Sequence, residues 1–113
     1  MYKKKAITEK NAIIKAQNLC AEREKCESDI RKKLYDWKLP VKNHDTVIDR
    51  LIQDKFIDEK RFAISFAKDK FRYNKWGKIK IEFALKQKQI NGAVIKIALD
   101  EIDESEYDTL LEN

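Results

Sequence analysis

Residues 58–85, DEKRFAISFAKDKFRYNKWGKIKIEFAL, contain two stretches of helical apolar spacing separated by a polar break. In the first stretch the apolar side chains recur every three or four residues, on one face of a helix: Phe62, Ala63, Phe66, Ala67 and Phe71. Asp58 stands where an N-cap is expected, and Gly77 precedes the second stretch. The segment therefore predicts two consecutive helices, at about 59–74 and 78–89.

The same spacing extends through the rest of the chain and predicts four more helices. We expect them at about 9–22, 27–38, 45–56 and 92–102. Only two glycines and one proline occur in 113 residues, so the residues that tight β-turns need are nearly absent. Lys, Glu, Ala, Leu and Ile dominate, and these residue types favour helix. The expected fold class is all-α, with no strand.

The six predicted helices form a tandem repeat. Apolar residues fall on apolar residues when the chain is shifted by 51 positions: Ala16 on Ala67, Ile30 on Ile81, Leu34 on Leu85 and Leu39 on Ile90. After a loop that is four residues longer in the first copy, the register resumes with Val47 on Val94. The pattern predicts two three-helix units, at 8–57 and 58–102. Each unit is too small to bury a good core alone, so we expect the units to stack into an elongated array.

The repeat pattern begins a third time near the end of the sequence. Ile57-Asp58-Glu59 is echoed by Ile102-Asp103-Glu104. Residues 103–113 are therefore expected to be the start of a truncated third unit, in a fragment or in a shortened relative of a three-unit protein. Its apolar side chains would be frayed or buried against a second chain: Tyr107, Leu110 and Leu111. At the other end, residues 1–7 are expected to be a disordered basic tail.

The composition excludes several classes of function. No long apolar run is present, and Cys20 and Cys26 are the only cysteines, which favours a cytoplasmic protein with reduced thiols. Helical spacing places Cys20 on the apolar face of the first helix, where we expect it to be a buried free thiol. Two isolated glycines cannot form a phosphate-binding loop. His44, expected in a loop between charged neighbours, is part of no nucleophile or metal-ligand pattern. We therefore expect no catalysis, no cofactor and no metal.

Charge is strongly segregated along the chain, whose net charge is +5. Residues 68–80 contain six basic residues and one acidic residue among aromatic ones, whereas residues 100–113 contain seven acidic residues and no basic residue. A basic stripe beside aromatic rings is typical of surfaces that bind phosphate backbones, although a solvated face of a lysine-rich protein has the same composition. The candidate contact residues are Arg61, Lys68, Lys70, Arg72, Lys75, Trp76, Lys78 and Lys80. For Trp76 we favour a lid over the core, with a contact role as the alternative.

Two segments resemble the RecX family. Residues 58–63 read DEKRFA and 76–82 read WGKIKIE, which looks like the family's central motif: an acidic pair, Arg-Phe-Ala, a basic helix end, and Gly-x-x-Arg/Lys-Ile. Upstream, residues 23–34 resemble the family's Arg-x-x-Ser-x-x-Glu-Leu-x-x-Lys-Leu, with Cys26 in place of the usual serine. Cysteine is a poor N-cap, so Glu27 or Ser28 is expected to take over part of that role. The resemblance runs from about residue 8 to 112.

This resemblance implies a protein of three tandem three-helix units that binds the RecA recombinase filament. Such proteins modulate, and usually inhibit, recombinase and ATPase activity in DNA repair and the SOS response, and some contact single- or double-stranded DNA. Among the matching positions, the exposed candidates for these contacts are Arg61, Lys70, Lys78 and Lys80, whereas Phe62, Ala63, Phe66, Ile81 and Leu85 have core spacing. No membrane partner is implied. We expect a monomer, in which only the truncated third unit is suited to association with a second chain.

Two other functions remain open from the sequence. The first is a helix-turn-helix-like DNA-binding protein with residues 77–99 as its motif. Its recognition helix would offer Lys96 as its only basic residue, followed by Asp100 and Glu101, which is a poor composition for reading bases between phosphates. The second is a purely structural helical scaffold, in which the lysines serve only solubility.

Overall fold

The chain folds into six α-helices and one 3₁₀ helix within residues 6–102, the part that the computed structural model describes. The α-helices are Glu9–Glu22 (α1), Glu27–Asp36 (α2), His44–Gln53 (α3), Glu59–Tyr73 (α4), Lys78–Gln87 (α5) and Gly92–Asp100 (α6), and the 3₁₀ helix is Val41–Asn43. Residues 6–102 contain no strand, so the all-α prediction is confirmed. They divide into two compact units, unit 1 up to Asp58 and unit 2 from Glu59, with three α-helices each.

Unit 1 is built around an aliphatic core to which all three of its α-helices contribute. Thr8 begins α1 because its Oγ1 accepts a hydrogen bond from the Asn11 N–H at 3.2 Å, which satisfies one of the free amide groups of the first turn. The buried residues of α1 are alanines, so this helix can approach its neighbours closely. The core comprises Ala12, Ala16, Ile30, Leu34, Leu39, Val47, Ile48, Leu51 and Ile57.

Helix α2 begins with a buried cysteine as its N-cap. Cys26 holds this position itself and its N–H is paired with Asp29, which corrects the expectation that Glu27 or Ser28 takes over part of the capping role. The Cys26 N–H donates to Asp29 Oδ2 at 3.3 Å, and its Sγ lies 3.2 Å from the Ser28 hydroxyl oxygen. Burial raises the pKa of the Cys26 thiol above its ordinary value, because the thiolate would lose its hydration. The side chain is therefore a neutral packing group at physiological pH, while Cys20 is half-buried at the edge of the same core.

Unit 2 packs α4 chiefly against α6, with α5 in contact with both. Asn91 begins α6, because its side-chain oxygen accepts a hydrogen bond from the Ala93 N–H at 2.8 Å. Apolar side chains of α4 and α5 at the predicted helical spacing are buried, and so are residues of α6 and of the adjoining turns. The buried residues of this unit are Phe62, Ala63, Ala67, Phe71, Ile81, Leu85, Ile90, Ile95, Ala98 and Ile102.

The predicted 51-residue register relates structurally equivalent turns in the two units. After α2 the Leu39 N–H donates to the Leu34 carbonyl oxygen at 3.0 Å, and after α5 the Ile90 N–H donates to the Leu85 carbonyl oxygen at 3.1 Å. Both bonds close a Schellman motif around one residue in the left-handed conformation. These residues are Lys38, with φ 63°, and Gln89, with φ 65°.

Four helices end two or three residues before their predicted ends: α6 ends at Asp100 and not at residue 102, and the other three share one backbone feature. We predicted that α2, α3 and α5 end at residues 38, 56 and 89, whereas they end at Asp36, Gln53 and Gln87. Each is followed by a residue of left-handed φ: Lys38, Lys55 and Gln89. Glycine usually occupies this position and marks the end of a helix in a sequence. Lysine and glutamine do not mark a helix end in this way, so the predicted helices are longer than the observed ones.

His44 corrects a further expectation, because it lies in the core and not in a charged loop. It is the first residue of α3 and only 1% exposed. Its Nε2 lies 2.8 Å from the Leu39 carbonyl oxygen, and its ring meets the Tyr35 ring edge-on at a centroid distance of 4.7 Å. Ile52 departs from the pattern in the opposite direction: it follows the apolar spacing of α3 but is exposed.

Two predicted segments fall beyond the described residues. The truncated third unit predicted at 103–113 lies outside them, as do residues 1–5 of the predicted basic tail. Within residues 6–102, no helix is both long and apolar enough to cross a membrane.

Candidate functional site

The loop between α4 and α5 brings Trp76 back onto the helix that precedes it. The N–H groups of Asn74 and Trp76 both donate to the Lys70 carbonyl oxygen, each at 3.1 Å. Between them Lys75 takes a left-handed φ of 60°, and its Nζ donates to the Arg72 carbonyl oxygen at 3.1 Å. These bonds cap the end of α4 and fold the loop tightly, so that the Trp76 indole lies beside α4.

Three aromatic rings form a row on this side of unit 2. Phe62 and Phe66 lie one turn apart on α4, with ring centroids 5.7 Å apart. The Trp76 indole meets Phe66 edge-on, with a centroid distance of 6.4 Å and an interplanar angle of 70°. Edge contacts of this kind stabilise aromatic pairs beyond the area that they bury. Trp76 is half-buried, which is the geometry expected of a lid that keeps part of its ring at the surface.

Lysine ammonium groups lie over each ring of the row. Lys80 Nζ lies 4.5 Å from the centroid of the Trp76 indole, and Lys70 Nζ lies 4.9 Å from it and 5.5 Å from that of Phe66. Lys88 Nζ lies 5.8 Å from the centroid of Phe62. Each contact stabilises the arrangement by about 0.5–1 kcal/mol at an exposed site. We call these six residues the lysine–aromatic cluster: Phe62, Phe66, Lys70, Trp76, Lys80 and Lys88.

Helix geometry separates the other predicted basic residues of α4 from this cluster. Arg61 precedes Lys70 by nine residues, which is roughly a half-turn in direction at 3.6 residues per turn. Lys68 and Arg72 lie within about 20° of the Arg61 direction by the same count. Lys68 approaches α6, with its Nζ 3.9 Å from Glu101 Oε2. The predicted basic stripe is therefore two surfaces, one on each side of α4.

The remaining predicted residues lie in the loop and at the start of α5. Lys75 is exposed at the tip of the loop, whereas Lys78 is half-buried as the first residue of α5. Lys88, which the sequence did not single out, joins the cluster through its contact with Phe62. The sequence did not indicate this contact, because the spacing of Phe62 predicts a core residue and not a partner for a surface lysine. Phe62 is indeed buried, but its ring lies close enough to the surface to meet an ammonium group.

Unit 1 forms the same three-helix fold without this cluster. At the repeat positions of Phe62, Phe66 and Lys70, unit 1 has Asn11, Lys15 and Leu19. At those of Trp76 and Lys80 it has Lys25 and Asp29. Unit 1 has instead a single contact of this kind, with Lys15 Nζ 4.7 Å from the centroid of the Trp37 ring, so the three-helix unit does not need the full cluster for its own packing. Core positions that the two repeats share, such as Leu34 and Leu85, are instead buried in both units.

The cluster has the chemistry of a surface that binds polyanions. The ammonium groups of Lys70 and Lys80 lie 4.9 and 4.5 Å from the centroid of one indole ring, so an anion that approaches this ring meets two positive charges. Among the described residues, no group of three histidine, cysteine or acidic side chains is placed to hold a metal ion.

Comparisons with known proteins match this chain to one family. A family model described as RecX, second three-helix domain, matches residues 58–99, which include the whole lysine–aromatic cluster. A regulatory protein RecX from Clostridium botulinum is 33% identical over an alignment that covers 96% of this chain and 53% of that protein. The chain belongs to the RecX family. A second RecX protein, from Clostridium acetobutylicum, is 38% identical over 71 residues, which are 63% of this chain and 32% of that protein.

A solved RecX structure shows the same fold. The crystal structure of a regulatory protein RecX superposes with a TM-score of 0.82 over 90% of this chain and 51% of the other, at 24% sequence identity. The chain thus spans about half the length of that protein and of the Clostridium botulinum RecX. The solved RecX structure consists of three-helix repeats, which is the architecture that the sequence predicts for this chain. Both sequence relatives are named as regulatory proteins.

Proposed function

We propose that this chain is a non-enzymatic regulator of the RecA recombinase, which binds the RecA–DNA filament and inhibits its ATPase and strand-exchange activities. It would act in the cytoplasm, in DNA repair and the SOS response, wherever such filaments form. Membership of a family of regulatory proteins supports the general role. The lysine–aromatic cluster is the observation in this molecule that supports contact with a nucleoprotein.

The proposed mechanism is steric and electrostatic. The lysines of unit 2 speed encounter with the negatively charged filament, an effect that salt weakens by screening. Once bound, the helical units occupy space that incoming subunits or a second DNA strand would need. No group of the chain has to react, because occupancy alone inhibits. The cluster provides the anionic contact through Lys70 and Lys80, with Trp76 as the ring that fixes both ammonium groups.

The helix-turn-helix alternative receives less support from the geometry. Its recognition helix would be α6, which is the main packing partner of α4. Asn91, the residue best suited to reading a base at the start of that helix, uses its side-chain oxygen to cap α6. Lys96 is exposed, but it is the only basic residue of α6. These features favour a structural role for α6 over insertion into a DNA groove.

The ATPase rate of the cognate RecA on single-stranded DNA tests the proposal. We expect the 113-residue chain to lower this rate in a dose-dependent way. A Lys70→Ala/Lys80→Ala variant should need at least a fivefold higher concentration for the same inhibition. The control, Lys32→Ala/Lys96→Ala, removes the same charge from exposed sites outside the cluster and should inhibit like the parent. Absence of inhibition by the parent, even at low salt and large excess, would contradict the proposed function.

A further inference from the structure

The outward face of α5 carries two large apolar side chains that the fold does not bury. Ile79 is 85% exposed and Phe83 is 62% exposed. They are four residues apart and therefore lie one above the other on the helix surface. The core side of the same helix is formed by Ile81 and Leu85, both completely buried and on the opposite side of the helix. We call the outward pair the α5 ridge.

The repeat shows that this ridge is not a requirement of the three-helix fold. The 51-residue register places Ser28 and Lys32 of α2 at the positions of Ile79 and Phe83. At the core positions, in contrast, Ile30 corresponds to Ile81 and Leu34 to Leu85, and all four are buried. Unit 1 therefore keeps the apolar core side and has polar residues on the outward side. Two exposed apolar side chains at equivalent positions of unit 2 are a feature of its surface chemistry.

Charged residues border the ridge, and most of them are basic. At 3.6 residues per turn, Lys80, Glu82 and Lys86 lie within about 80° of the ridge direction, whereas Lys88 lies on the opposite side of the helix, where it contacts Phe62. The carboxylate of Glu82 lies 3.3 Å from Lys86 Nζ, so the one acidic group on this helix is neutralised by its neighbour. Charge complementarity therefore favours a partner that carries carboxylates or phosphates around an apolar centre.

The side chains of the ridge favour a protein over the other anionic partners. Ile79 has no aromatic face on which a base stacks, and it is the more exposed of the two. Two apolar residues on a ten-residue helix form much less apolar surface than a helix that lies on a membrane. An apolar pair within a charged border is instead the anatomy of a protein interface, where a few buried side chains contribute most of the affinity.

We propose that Ile79 and Phe83 form a protein-docking ridge, which inserts into an apolar hollow bordered by carboxylates on the partner protein. This inference rests on the proposed function, under which the partner is a recombinase protomer of the filament. Unit 2 then has two contact surfaces. The lysine–aromatic cluster contacts the nucleic acid of the filament, and the α5 ridge contacts the protein of the filament.

Binding measurements on filament and on bare DNA separate these two contacts. Fluorescence anisotropy of the labelled full chain gives its affinity for the recombinase filament and for single-stranded DNA alone. The test variant is Ile79→Ser/Phe83→Gln, which leaves the net charge unchanged. The control is Val41→Ser, which removes another exposed apolar side chain, 62% exposed, from unit 1. Circular dichroism should show unchanged helix content, because neither substitution in the test variant alters a buried residue.

We expect the test variant to bind the filament at least tenfold more weakly, with its affinity for DNA alone changed less than twofold. Equal filament affinity of variant and parent would overturn the inference and leave the proposed function standing. An equal loss on bare DNA would overturn it too, because the ridge would then contact nucleic acid. If the parent sediments as a dimer and the variant as a monomer, the ridge binds a second copy of this chain, and the inference is overturned. A parent that does not bind the filament would overturn the proposed function and, with it, the recombinase as partner.

Discussion

The ammonium group of Lys80, on the first turn of α5, lies 4.5 Å from the centre of the Trp76 indole, which the preceding loop holds against α4. Lys70 approaches the same ring at 4.9 Å from α4. The indole is therefore the point at which two helices present their positive charges together. Each of these contacts stabilises one position of a lysine side chain by about 0.5–1 kcal/mol, so both ammonium groups favour positions beside the same ring.

Removal of this pair should change the salt dependence of filament binding. In Lys70→Ala/Lys80→Ala, the slope of log affinity against log salt concentration should become shallower by about one for each lysine that contacts a phosphate. Titrations at several potassium chloride concentrations measure the slope. The variant Lys32→Ala/Lys96→Ala has the same net charge and should keep the parent slope. Equal slopes in the two variants would show that the pair acts only through overall charge.

Replacement of His44 by alanine should destabilise unit 1. It removes a buried ring and the hydrogen bond between Nε2 and the Leu39 carbonyl oxygen, at 2.8 Å. We expect a loss of about 2–4 kcal/mol in the free energy of unfolding. Urea denaturation followed by Trp37 fluorescence in a Trp76→Phe background reports on unit 1. Val41→Ser, nearby and exposed, should change stability by less than about 0.5 kcal/mol. A similar small effect of His44→Ala would contradict the structural role.

Glycine should stabilise the chain where a residue of left-handed φ follows a helix. Gln89 has φ 65°, a conformation that is strained for a residue with a side chain and relaxed for glycine. Because glycine also has more freedom in the unfolded chain, the net gain for Gln89→Gly should be about 0.5–1 kcal/mol. Thermal unfolding measures it. The control, Lys86→Gly inside α5, should instead lose about 1 kcal/mol, and a loss at Gln89 as well would argue against the Schellman geometry.

Alkaline pH should destabilise the chain through Cys26. Burial raises the pKa of this thiol, so above pH 8.5 or so the unfolded chain releases the proton and the folded chain retains it. The folded state then binds more protons than the unfolded state, and its stability falls as pH rises through the alkaline range. Denaturant titrations between pH 7 and 10 should show a steeper fall for the parent than for Cys26→Ala. Parallel curves would mean that the thiol ionises alike in both states.

The helical core was predictable because one physical requirement, burial at a 3.6-residue period, acts on every helix. Ile30, Leu34, Ile81 and Leu85 follow this period and are all buried. Helix ends were less predictable, because Lys38, Lys55 and Gln89 occupy a conformation usually marked by glycine. His44 was misplaced for a similar reason: its burial depends on a carbonyl five residues before it, which no periodic pattern encodes.

The candidate site was predictable in composition but not in arrangement. Basic and aromatic residues between 68 and 80 are evident in the sequence, and Trp76 stands out among them. The direction of each side chain depends on its angle around α4, which separates Lys68 from Lys70 although only Asp69 lies between them. The contact of Lys88 with Phe62 joins α4 to the end of α5, so it follows from the packing of two helices and not from the local sequence.

The matched turns at Lys38 and Gln89 give the two units the same backbone geometry between their second and third helices, although the units carry different side chains on their surfaces. A side chain outside the core can therefore differ between the two units while the core positions stay apolar in both, as at Ser28 and Ile79. A set of surface side chains can therefore be transferred from one unit to the other, at an offset of 51 residues in the first two helices of each unit and of 47 residues in the third.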